Sequence, residues 1–449
     1  MTSASLYGTD RTPADQRAAL TGGDVPVAVY GLGKMGLPLA AVYAETTGNV
    51  TGVDIDPDVV TQVQRGETPV ENEPGLSELV ARTVETGAFR ATTDAGAAAA
   101  DAAVHVLIVP TLITDDHDPD LSSLYTVLER VGSGLARGDV VVVESTVPPG
   151  TCRGTVTPAL AGASGLAEEE FGVAFCPERT ASGRALQDIR SAYPKVVGGK
   201  DPESTRVAEL VYGEITSNDV IAVSDCTTAE CVKVFEGVYR DVNIALANEL
   251  ARLAPELGVD VREAIRVANT QPFCEIHDPG PGVGGHCIPY YPYFLINGCE
   301  TDVPLLRQTR AVNDSMATVT VERLSEELDS RGTALDGAEV VLLGVTYRPG
   351  VDETRASPAL AVAERLRDAG AAVSAVDPVC SEMGVVDATP VSLDRLADLS
   401  PDAVVLVTGH EAFGDVDWDR LDPALVLDTR DALDDVGPSD LVTLGDGSR

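Results

Sequence analysis

A cysteine stands in the most irregular stretch of the sequence. Residues 279–295 read PGPGVGGHCIPYYPYFL, in which four glycines and four prolines surround Cys287. Glycine and proline disfavour both helix and strand, so a buried structural thiol is not expected there. We interpret the stretch as a shaped loop that presents the thiol of Cys287 for reaction. The elements that would position its partners lie elsewhere in the chain.

A glycine-rich turn near the N-terminus predicts dinucleotide binding. Residues 25–56, VPVAVYGLGKMGLPLAAVYAETTGNVTGVDID, give a strand, a glycine turn, a helix, a second strand and an acid. Gly31 permits the tight turn, Gly33 lets backbone approach a pyrophosphate, and Gly36 lets the helix pack on the strand. The helix N-terminus then faces the phosphates. Asp54 is placed to accept hydrogen bonds from ribose hydroxyls, which favours NAD over NADP. A plain βα turn is the alternative.

Further apolar runs predict the strands of a doubly wound parallel sheet. These runs are 104–109, 140–144, 172–175 and 196–197. In open α/β sheets the ligand lies beyond the carboxyl ends of the strands. Small polar loops at those ends therefore place Thr111, Thr146 and residues 176–180 at the predicted cofactor crevice. Glu178 is the carboxylate of interest there, and an ordinary surface acid is the alternative.

The middle of the chain is predicted to be helical. Residues 226–269 carry apolar side chains mainly at three- and four-residue spacing, and Pro255 is expected to end or kink the first helix. That helix is longer than a crossover needs, so it suits an inter-domain strut and a dimer surface. Lys233 lies on it and, taken alone, is interpreted as a solvated charge.

The last third of the chain repeats the opening arrangement without its glycine fingerprint. Residues 337–445 predict a second small α/β sheet, with later strands at 403–407 and 425–427. Arg348 and Arg355 lie in the loop before a helix start at Ser357, and two arginines beside a helix N-terminus suit diphosphate recognition. Arginines that balance local acids are the alternative.

The predicted fold class is α/β, with two Rossmann-like doubly wound domains joined by a long central helix or all-α middle domain. The predicted divisions are a polar leader at 1–24, an NAD-binding domain at 25–215, a central helical dimerisation domain with the cysteine loop at 216–330, and a second Rossmann-like domain at 331–449.

Composition excludes several classes of protein. Of 449 residues 44% are hydrophobic, yet no run of about 18 apolar residues predicts a membrane span, and the N-terminus has no apolar core typical of a secretory signal. The eight cysteines form no CxxC pair, so we expect reduced thiols, a cytoplasmic location and no metal site.

The strongest global property is charge, with 71 acidic against 32 basic residues and a net charge of −39. Such a balance repels nucleic acid and anionic membranes, so neither is an expected partner. The acids spread throughout the chain without a block of five, which is typical of halophilic proteins. We therefore expect activity to require molar salt.

Taken together, the motifs resemble those of the UDP-glucose/GDP-mannose dehydrogenase family from about residue 25 to 428. They are GLGKMGLPLA, GVDID, STVPPGT, CPER, GRALQDI, AECVK, VNIALANEL, PGVGGHCIP, VDETRASP and VDP. The details PERT, YRDVNIALANEL and GGHCIP look most like the UDP-N-acetyl-mannosamine dehydrogenase branch, with the UDP-glucose branch as the rival. The resemblance implies two NAD-dependent hydride transfers that convert a primary alcohol into a carboxylate. It also implies a homodimer through the central helix, and it implies that the domain at 331–449 binds the UDP-sugar.

The resemblance also assigns roles to individual residues. Cys287 would form a thiohemiacetal and then a thioester, Lys233 would stabilise the oxyanion, and Glu178 and Thr146 would position the hydrolytic water. The implied cofactor-binding residues are Gly31, Gly33, Lys34, Met35, Gly36, Asp54, Thr111 and Thr146. The implied substrate-binding residues are Arg179, Lys233, Gly282, Gly284, Gly285, His286, Arg348 and Arg355.

Two positions depart from the family pattern. Tyr291 stands where the family usually has an aspartate that assists water activation, and Gly237 stands where it usually has an asparagine that binds the oxyanion. Tyrosine does not ionise readily at neutral pH, so thioester hydrolysis is expected to be slowed unless other groups compensate. A non-catalytic NAD and nucleotide-sugar binding protein is therefore an alternative. A simple two-electron dehydrogenase is another, but it leaves the cysteine loop unexplained.

Overall fold

The computed structural model describes residues 5–447 of the chain, which divides into two compact units. The first comprises Met1–Phe235 with Tyr293–Gly298, and the second comprises Glu236–Pro292 with Cys299–Arg449. Residues 1–4 of the predicted leader and residues 448–449 of the predicted C-terminal domain lie outside the described residues.

The first unit is built on an eight-stranded sheet. Its strands and one short hairpin (β5 and β6) are β1 Val27–Tyr30, β2 Val50–Val53, β3 Phe89–Thr92, β4 Val104–Leu107, β5 Leu112–Ile113, β6 Pro119–Asp120, β7 Val140–Val143, β8 Gly172–Phe175, β9 Lys195–Gly199 and β10 Val220–Ala222. The sheet order is β10-β9-β8-β7-β4-β1-β2-β3. Neighbours run parallel, except that β8 and β9 are antiparallel. All four valines of β7 are buried, as expected for a strand covered on both faces.

Helices cover both faces of this sheet. They are α1 Pro13–Thr21, α2 Gly36–Thr47, α3 Pro57–Gln64, α4 Leu76–Glu85, α5 Ala95–Asp101, α6 Ser122–Gly134, α7 Thr157–Ser164, α8 Ala185–Gln187 and α9 Pro202–Ile215. Residues 5–24 of the predicted polar leader contain α1 and pack onto this unit. Leu6 and Leu20 are fully buried, and the Tyr7 hydroxyl donates to Asp201 across 2.9 Å.

The central helices are α10 Cys226–Leu257, α11 Val261–Ala268, α12 Tyr291–Ile296 and α13 Pro304–Ser330. Helix α10 runs through Pro255 and ends two residues later, so the expected boundary is close to the observed one. The predicted helical segment 216–330 begins differently, because β10 joins the first sheet beside β9. Only three partly exposed residues form that strand, too few for a periodic pattern.

The stretch around Cys287 is irregular as far as Tyr290, but its end forms α12, which the abundance of proline did not predict. Pro292 lies in the first turn of that helix, where the absence of a proline N–H costs no intrahelical hydrogen bond.

The second unit carries a six-stranded parallel sheet. Its strands are β11 Glu339–Leu343, β12 Ala372–Val376, β13 Thr389–Pro390, β14 Ala403–Leu406, β15 Leu425–Asp428 and β16 Asp440–Thr443, in the order β13-β12-β11-β14-β15-β16. Helices α14 Pro358–Asp368 and α15 Trp418–Leu421 follow β11 and β14. The prediction of two Rossmann-like sheets with a helical middle is thus confirmed. Across residues 5–447, no helix combines the length and apolar character that crossing a membrane requires.

Candidate active site

The glycine turn after β1 is shaped as its sequence predicts. Gly31 has φ +102°, and a Cβ there would lie 2.5 Å from the carbonyl oxygen of Ile108. A Cβ on Gly36 would overlap the carbonyl of Gly31. At Gly33, by contrast, no described atom lies within 4 Å of an added Cβ. The turn therefore leaves open space at the glycine whose backbone was predicted to meet a pyrophosphate.

Asp54 lies beside this turn, at the end of β2. One carboxylate oxygen accepts the Leu32 N–H at 2.7 Å, and the other accepts the Asp56 N–H at 3.0 Å. A carboxylate oxygen can accept more than one hydrogen bond, so both can also accept from ribose hydroxyls. The turn and Asp54 together fit an NAD molecule.

The loops after β4 and β7 meet as expected. The Thr111 hydroxyl donates to the Thr146 carbonyl oxygen at 2.6 Å, and the Ser145 hydroxyl donates to the Val109 carbonyl oxygen at 2.7 Å. These bonds hold two strand-end loops together at the edge where a ligand is expected.

The segment after β8 connects the glycine turn to the central helix. The Thr180 hydroxyl contacts the sulfur of Met35, the residue after Lys34, at 2.9 Å, and the Thr180 N–H donates to the Glu178 carboxylate. Lys233 donates from Nζ to the Glu178 carbonyl oxygen, and Nζ lies 3.9 Å from the Glu178 carboxylate. Their side chains are only 11% and 17% exposed, so Lys233 is not the solvated charge that its position alone suggested.

Arg179 is positioned by its neighbours in the first unit. Its guanidinium donates to the Pro194 carbonyl and lies 5.4 Å from the centre of the Tyr193 ring. The Tyr193 hydroxyl in turn donates to the Arg179 carbonyl. The predicted substrate arginine is thus held against the segment that precedes β9.

In the second unit, the loop that carries Cys287 has a defined backbone. The Cys287 carbonyl accepts the N–H groups of Tyr290 and Tyr291 at 3.1 and 3.0 Å, which begins the turn into α12. On the other side, the Gly285 N–H donates to the Arg355 carbonyl at 2.9 Å. These bonds fix the backbone on both sides of the thiol.

Glycines bring this loop close to the loop after β11. A Cβ on Gly284 would lie 2.7 Å from Cβ of Tyr347, and Gly285 lies against the Tyr347 ring with φ +88°. Gly282, with φ +140°, lies against Pro358 at the start of α14. Predicted substrate residues from both loops, 282–286 and 348–355, therefore lie side by side.

Three polar side chains cluster beside Cys287. Nδ1 of His286 lies 3.7 Å from the Glu353 carboxylate, and Nε of Arg355 lies 3.8 Å from the same oxygen. A hydrogen bond with the Cys287 thiol raises the pKa of His286 above its usual value, while burial and Arg355 oppose the rise. Arg348 lies just before this group, and its carbonyl accepts the Thr346 hydroxyl at 3.4 Å.

Comparison with known proteins assigns all three parts of the chain to one family. Its models match at 25–216 (UDP-glucose/GDP-mannose dehydrogenase family, NAD binding domain), 227–315 (central domain) and 341–435 (UDP binding domain). The UDP-N-acetyl-D-mannosamine dehydrogenase of Pyrococcus horikoshii is 35% identical over 413 residues, which cover 91% of this chain and 96% of that one. The chain belongs to the UDP-glucose/GDP-mannose dehydrogenase family.

Other relatives agree. The NDP-N-acetyl-D-galactosaminuronic acid dehydrogenase of Ralstonia nicotianae is 34% identical over 413 residues, covering 90% of this chain and 95% of that one. A solved structure of the Pyrococcus horikoshii UDP-D-ManNAc dehydrogenase superposes with a TM-score of 0.87 at 33% identity, covering 95% of this chain and all of that one.

Membership in the UDP-glucose/GDP-mannose dehydrogenase family confirms three predictions. The enzyme is an NAD-dependent oxidoreductase, its cofactor is NAD, and it carries a UDP-binding domain suited to a UDP-sugar. The observed glycine turn and Asp54 lie within the part of the chain matched as NAD-binding.

One candidate substrate-binding residue, Arg430, was not predicted from the sequence. Arg430 follows β15, donates from Nε to the Val407 carbonyl at 2.9 Å, and lies so close to Gly280 that a Cβ there would be 2.5 Å from Nη1. Burial and the nearby Arg262 lower the pKa of Arg430 to about 10, which leaves it charged at neutral pH. Its position just past a strand end, in DTR, was the available signal.

Two buried side chains, Arg262 and Asn248, hydrogen-bond the backbone of the loop at Pro279 and Gly280. Arg262 donates to the carbonyl oxygens of Pro279 and Thr429, each at 3.0 Å, and the side chain of Asn248 accepts the Gly280 N–H at 2.8 Å. These contacts connect the buried side chains of Arg262 and Arg430 to the cysteine loop of the second unit.

Proposed function

We propose that this chain oxidises the C6 primary alcohol of a UDP-sugar to the carboxylate, with UDP-N-acetyl-D-mannosamine as the substrate and UDP-N-acetyl-D-mannosaminuronate as the product. The observation that carries the proposal is the loop of Cys287, packed through Gly284 and Gly285 onto the loop after β11 in the part of the chain matched as UDP-binding. The names of the relatives favour the N-acetyl-mannosamine branch.

The chemistry explains why a thiol is needed. NAD, when bound, supplies the hydride acceptor. After one oxidation C6 is an aldehyde, and addition of the Cys287 sulfur gives a thiohemiacetal, whose own oxidation leaves a thioester. Water then releases the carboxylate and regenerates the thiol.

We assign the remaining roles by chemistry and position. Lys233 carries a positive charge that stabilises the oxyanion at C6. Glu178, whose carboxylate lies 3.9 Å from Nζ of Lys233, and Thr146 hold the water for thioester hydrolysis. Gly31, Gly33, Lys34, Met35, Gly36, Asp54, Thr111 and Thr146 bind NAD. Arg179, Lys233, Gly282, Gly284, Gly285, His286, Arg348 and Arg355 contact the substrate.

Substrate identity and stoichiometry are tested together. NADH formed per sugar consumed is measured with UDP-N-acetylmannosamine, UDP-glucose and UDP-N-acetylglucosamine in high salt. About two NADH per molecule of UDP-N-acetylmannosamine are expected, because the thiohemiacetal route uses two oxidations. Preference for UDP-glucose would place the enzyme in the rival branch, and one NADH with free aldehyde would refute the role of the thiol.

Cysteine variants give the control. Cys287→Ala should abolish carboxylate formation, whereas Cys299→Ala, which removes an exposed thiol outside the loop, should not. Full turnover in Cys287→Ala would refute the mechanism.

The packing of Tyr291 against Gly237 favours a second candidate, a protein that binds NAD and a nucleotide sugar without completing turnover. Tyrosine lacks the charge with which a carboxylate activates water. NAD binding without NADH formation from any UDP-sugar would support this candidate, and sustained NADH formation would exclude it.

We also propose a homodimer through the central helix. Tyr239, Leu246 and Leu253 recur every seven residues along α10 and are 51%, 48% and 42% exposed, so they form one apolar stripe. Light scattering should report a dimer, and Leu246→Lys should weaken it. Leu305→Lys, at another exposed leucine outside that helix, is the control. The proposed location is the cytoplasm, and the proposed domain divisions are those given above.

A further inference from the structure

His286 directly precedes the proposed nucleophile, and the hydrogen-bonding capacity of its ring is not fully satisfied. Its Nδ1 is enclosed, has no hydrogen-bond partner among the described residues, and lies 3.7 Å from the Glu353 carboxylate. The thiol of Cys287 is the next side chain along the loop, and hydrogen bonding to it is the largest effect on the pKa of His286, which it raises. A thiol, an imidazole and a carboxylate thus follow one another in space, an arrangement suited to forming a thiolate.

The backbone keeps these three groups in register. Glu353 is fixed because its carbonyl accepts the Tyr347 N–H at 3.0 Å, and the cysteine loop is tied to the same segment by the bond from Gly285 to Arg355 at 2.9 Å. The loop that carries His286 and the loop that carries Glu353 are therefore joined on either side of the pair.

The charges around His286 favour its protonated form. Cys287 and Glu353 raise its pKa, whereas burial and Arg355 lower it, and the net direction is upward. The Tyr347 phenol stays neutral because burial raises its pKa. Arg355 also lies 3.8 Å from Glu353, so it competes with His286 for the same carboxylate.

We infer that His286 accepts the proton of Cys287 and that Glu353 stabilises the imidazolium, so that Cys287 reacts as a thiolate. The S–H bond breaks, its electron pair stays on sulfur, and the proton moves to the ring. When sulfur adds to the aldehyde, the carbonyl π pair moves to oxygen, and the imidazolium returns the proton there. No electrons are gained or lost in this step. Glu353 acts through His286 and is a positioning residue.

The inference rests on the proposed function but is tested without turnover. The rate at which iodoacetamide alkylates Cys287 is measured against pH by mass spectrometry of the peptide that contains it, with NAD and sugar absent. Wild type is compared with His286→Gln, Glu353→Gln and Arg355→Gln. The control is His277→Gln, which removes another imidazole of the same unit whose backbone N–H is bound by Asn243 at 2.8 Å.

For each variant we expect a definite direction of shift in the pH profile of alkylation. His286→Gln should shift the alkylation profile to higher pH by about one unit or more, which lowers the rate at pH 6.5 about tenfold. Glu353→Gln should shift it less in the same direction. Arg355→Gln should shift it to lower pH, because Glu353 is then free to pair with His286. His277→Gln should change nothing.

Two results would overturn the inference. One is an unchanged profile in His286→Gln. The other is equal shifts in His286→Gln and His277→Gln, which would indicate a general disturbance of the unit. A raised KM with an unshifted profile would leave His286 a substrate contact only. Failure of the proposed function is distinguishable, since it would abolish NADH formation in the wild type without affecting the alkylation shifts.

Discussion

The ring of Tyr291 occupies the space directly above Gly237. A Cβ on Gly237 would overlap Cδ2 of Tyr291 and lie 3.2 Å from its Cβ and Cγ. Tyr291 is only 7% exposed, so it cannot simply swing away. The two departures from the family pattern are therefore one structural feature, in which the absence of a side chain at Gly237 in α10 makes room for the large side chain of Tyr291 at the start of α12.

This contact predicts an unusual cost for adding a methyl group. Gly237→Ala should destabilise the protein by about 1–3 kcal/mol through overpacking, although alanine is the better helix former. The matched control is Gly213→Ala in α9, where no described atom lies within 4 Å of the new Cβ and a gain of about 0.5–1 kcal/mol is expected. Chemical denaturation in high salt measures both changes. Stabilisation by Gly237→Ala would refute the contact.

The same contact predicts coupling between the two positions. Gly237→Asn alone should be more destabilising than in combination with Tyr291→Asp, because the aspartate frees the space that the asparagine needs. The difference should be about 1 kcal/mol or more, as is usual for residues in contact. If loss of the carboxylate slows hydrolysis, the double variant should also release carboxylate faster than wild type. Additive stabilities would contradict the coupling.

The pair of Lys233 and Glu178 predicts that two variants stop at different stages. Lys233→Met should slow NADH formation itself by about a hundredfold or more, because the oxyanion loses its stabilising charge. Glu178→Gln should still form NADH in a burst and then accumulate a covalent adduct on Cys287, since hydrolysis is impaired. Intact-protein mass spectrometry after quenching detects the adduct. An adduct in neither variant, or the same block in both, would contradict the assigned division of roles.

Much of the first unit was readable from sequence because its signals are local. The turn from Gly31 to Gly36, and Asp54 after β2, lie within one βαβ segment, where spacing determines geometry. The charged pair of Glu178 and Lys233 could not be read in this way. The two residues are 55 positions apart in sequence, and the fold brings them together with side chains only 11% and 17% exposed.

The second unit contains contacts between residues far apart in sequence, which the sequence alone does not predict. Arg430 and Gly280 lie 150 residues apart in sequence, and neither position carries a periodic or spacing signal that links them. Arg262 links the two segments, because it donates to the carbonyl oxygens of Pro279 in the loop and of Thr429 after β15. The contact between Tyr291 and Gly237 could not be predicted either. The sequence alone indicates two departures from the family pattern, but it does not show that the Tyr291 ring fills the space beside Gly237.

The contact between Gly280 and Arg430 predicts a defect in nucleotide binding. Arg430→Met should weaken binding of UDP about 10- to 100-fold, as expected for loss of a charge-assisted hydrogen bond. Gly280→Ala should weaken it as well, because the new Cβ would lie 2.5 Å from Nη1 and displace the guanidinium. Calorimetry with UDP alone measures the affinity. The control is Gly384→Ala, where no described atom lies within 4 Å of the added Cβ. Unchanged affinity in both Arg430→Met and Gly280→Ala would exclude Arg430 from the binding site.

Glu144 predicts a pH dependence of stability. Burial raises its pKa from 4.5 to about 7, against the opposing effects of Lys195 and of the Tyr212 hydroxyl that donates to it at 2.5 Å. A carboxyl whose pKa is raised on folding contributes stability below its unfolded pKa, and that contribution is lost as pH rises to the folded value. The free energy of unfolding of wild type should therefore fall between pH 5 and 8 by a few kcal/mol more than that of Glu144→Gln. Parallel pH profiles would contradict the raised pKa.

The net charge of −39 predicts that folding itself depends on salt. Exposed charges repel one another over about 10 Å at 0.1 M salt but over only about 3 Å at 1 M. Self-repulsion among the acidic side chains is therefore strongest in dilute buffer. Raising KCl from 0.1 to 3 M should raise the melting temperature steeply and restore NADH formation in parallel. Sucrose at equal osmolality is the control, because it is excluded from protein surfaces without screening charge. Sucrose alone should recover little of the stability. Full activity and an unchanged melting temperature at 0.1 M KCl would show that the acidic surface is tolerated without salt.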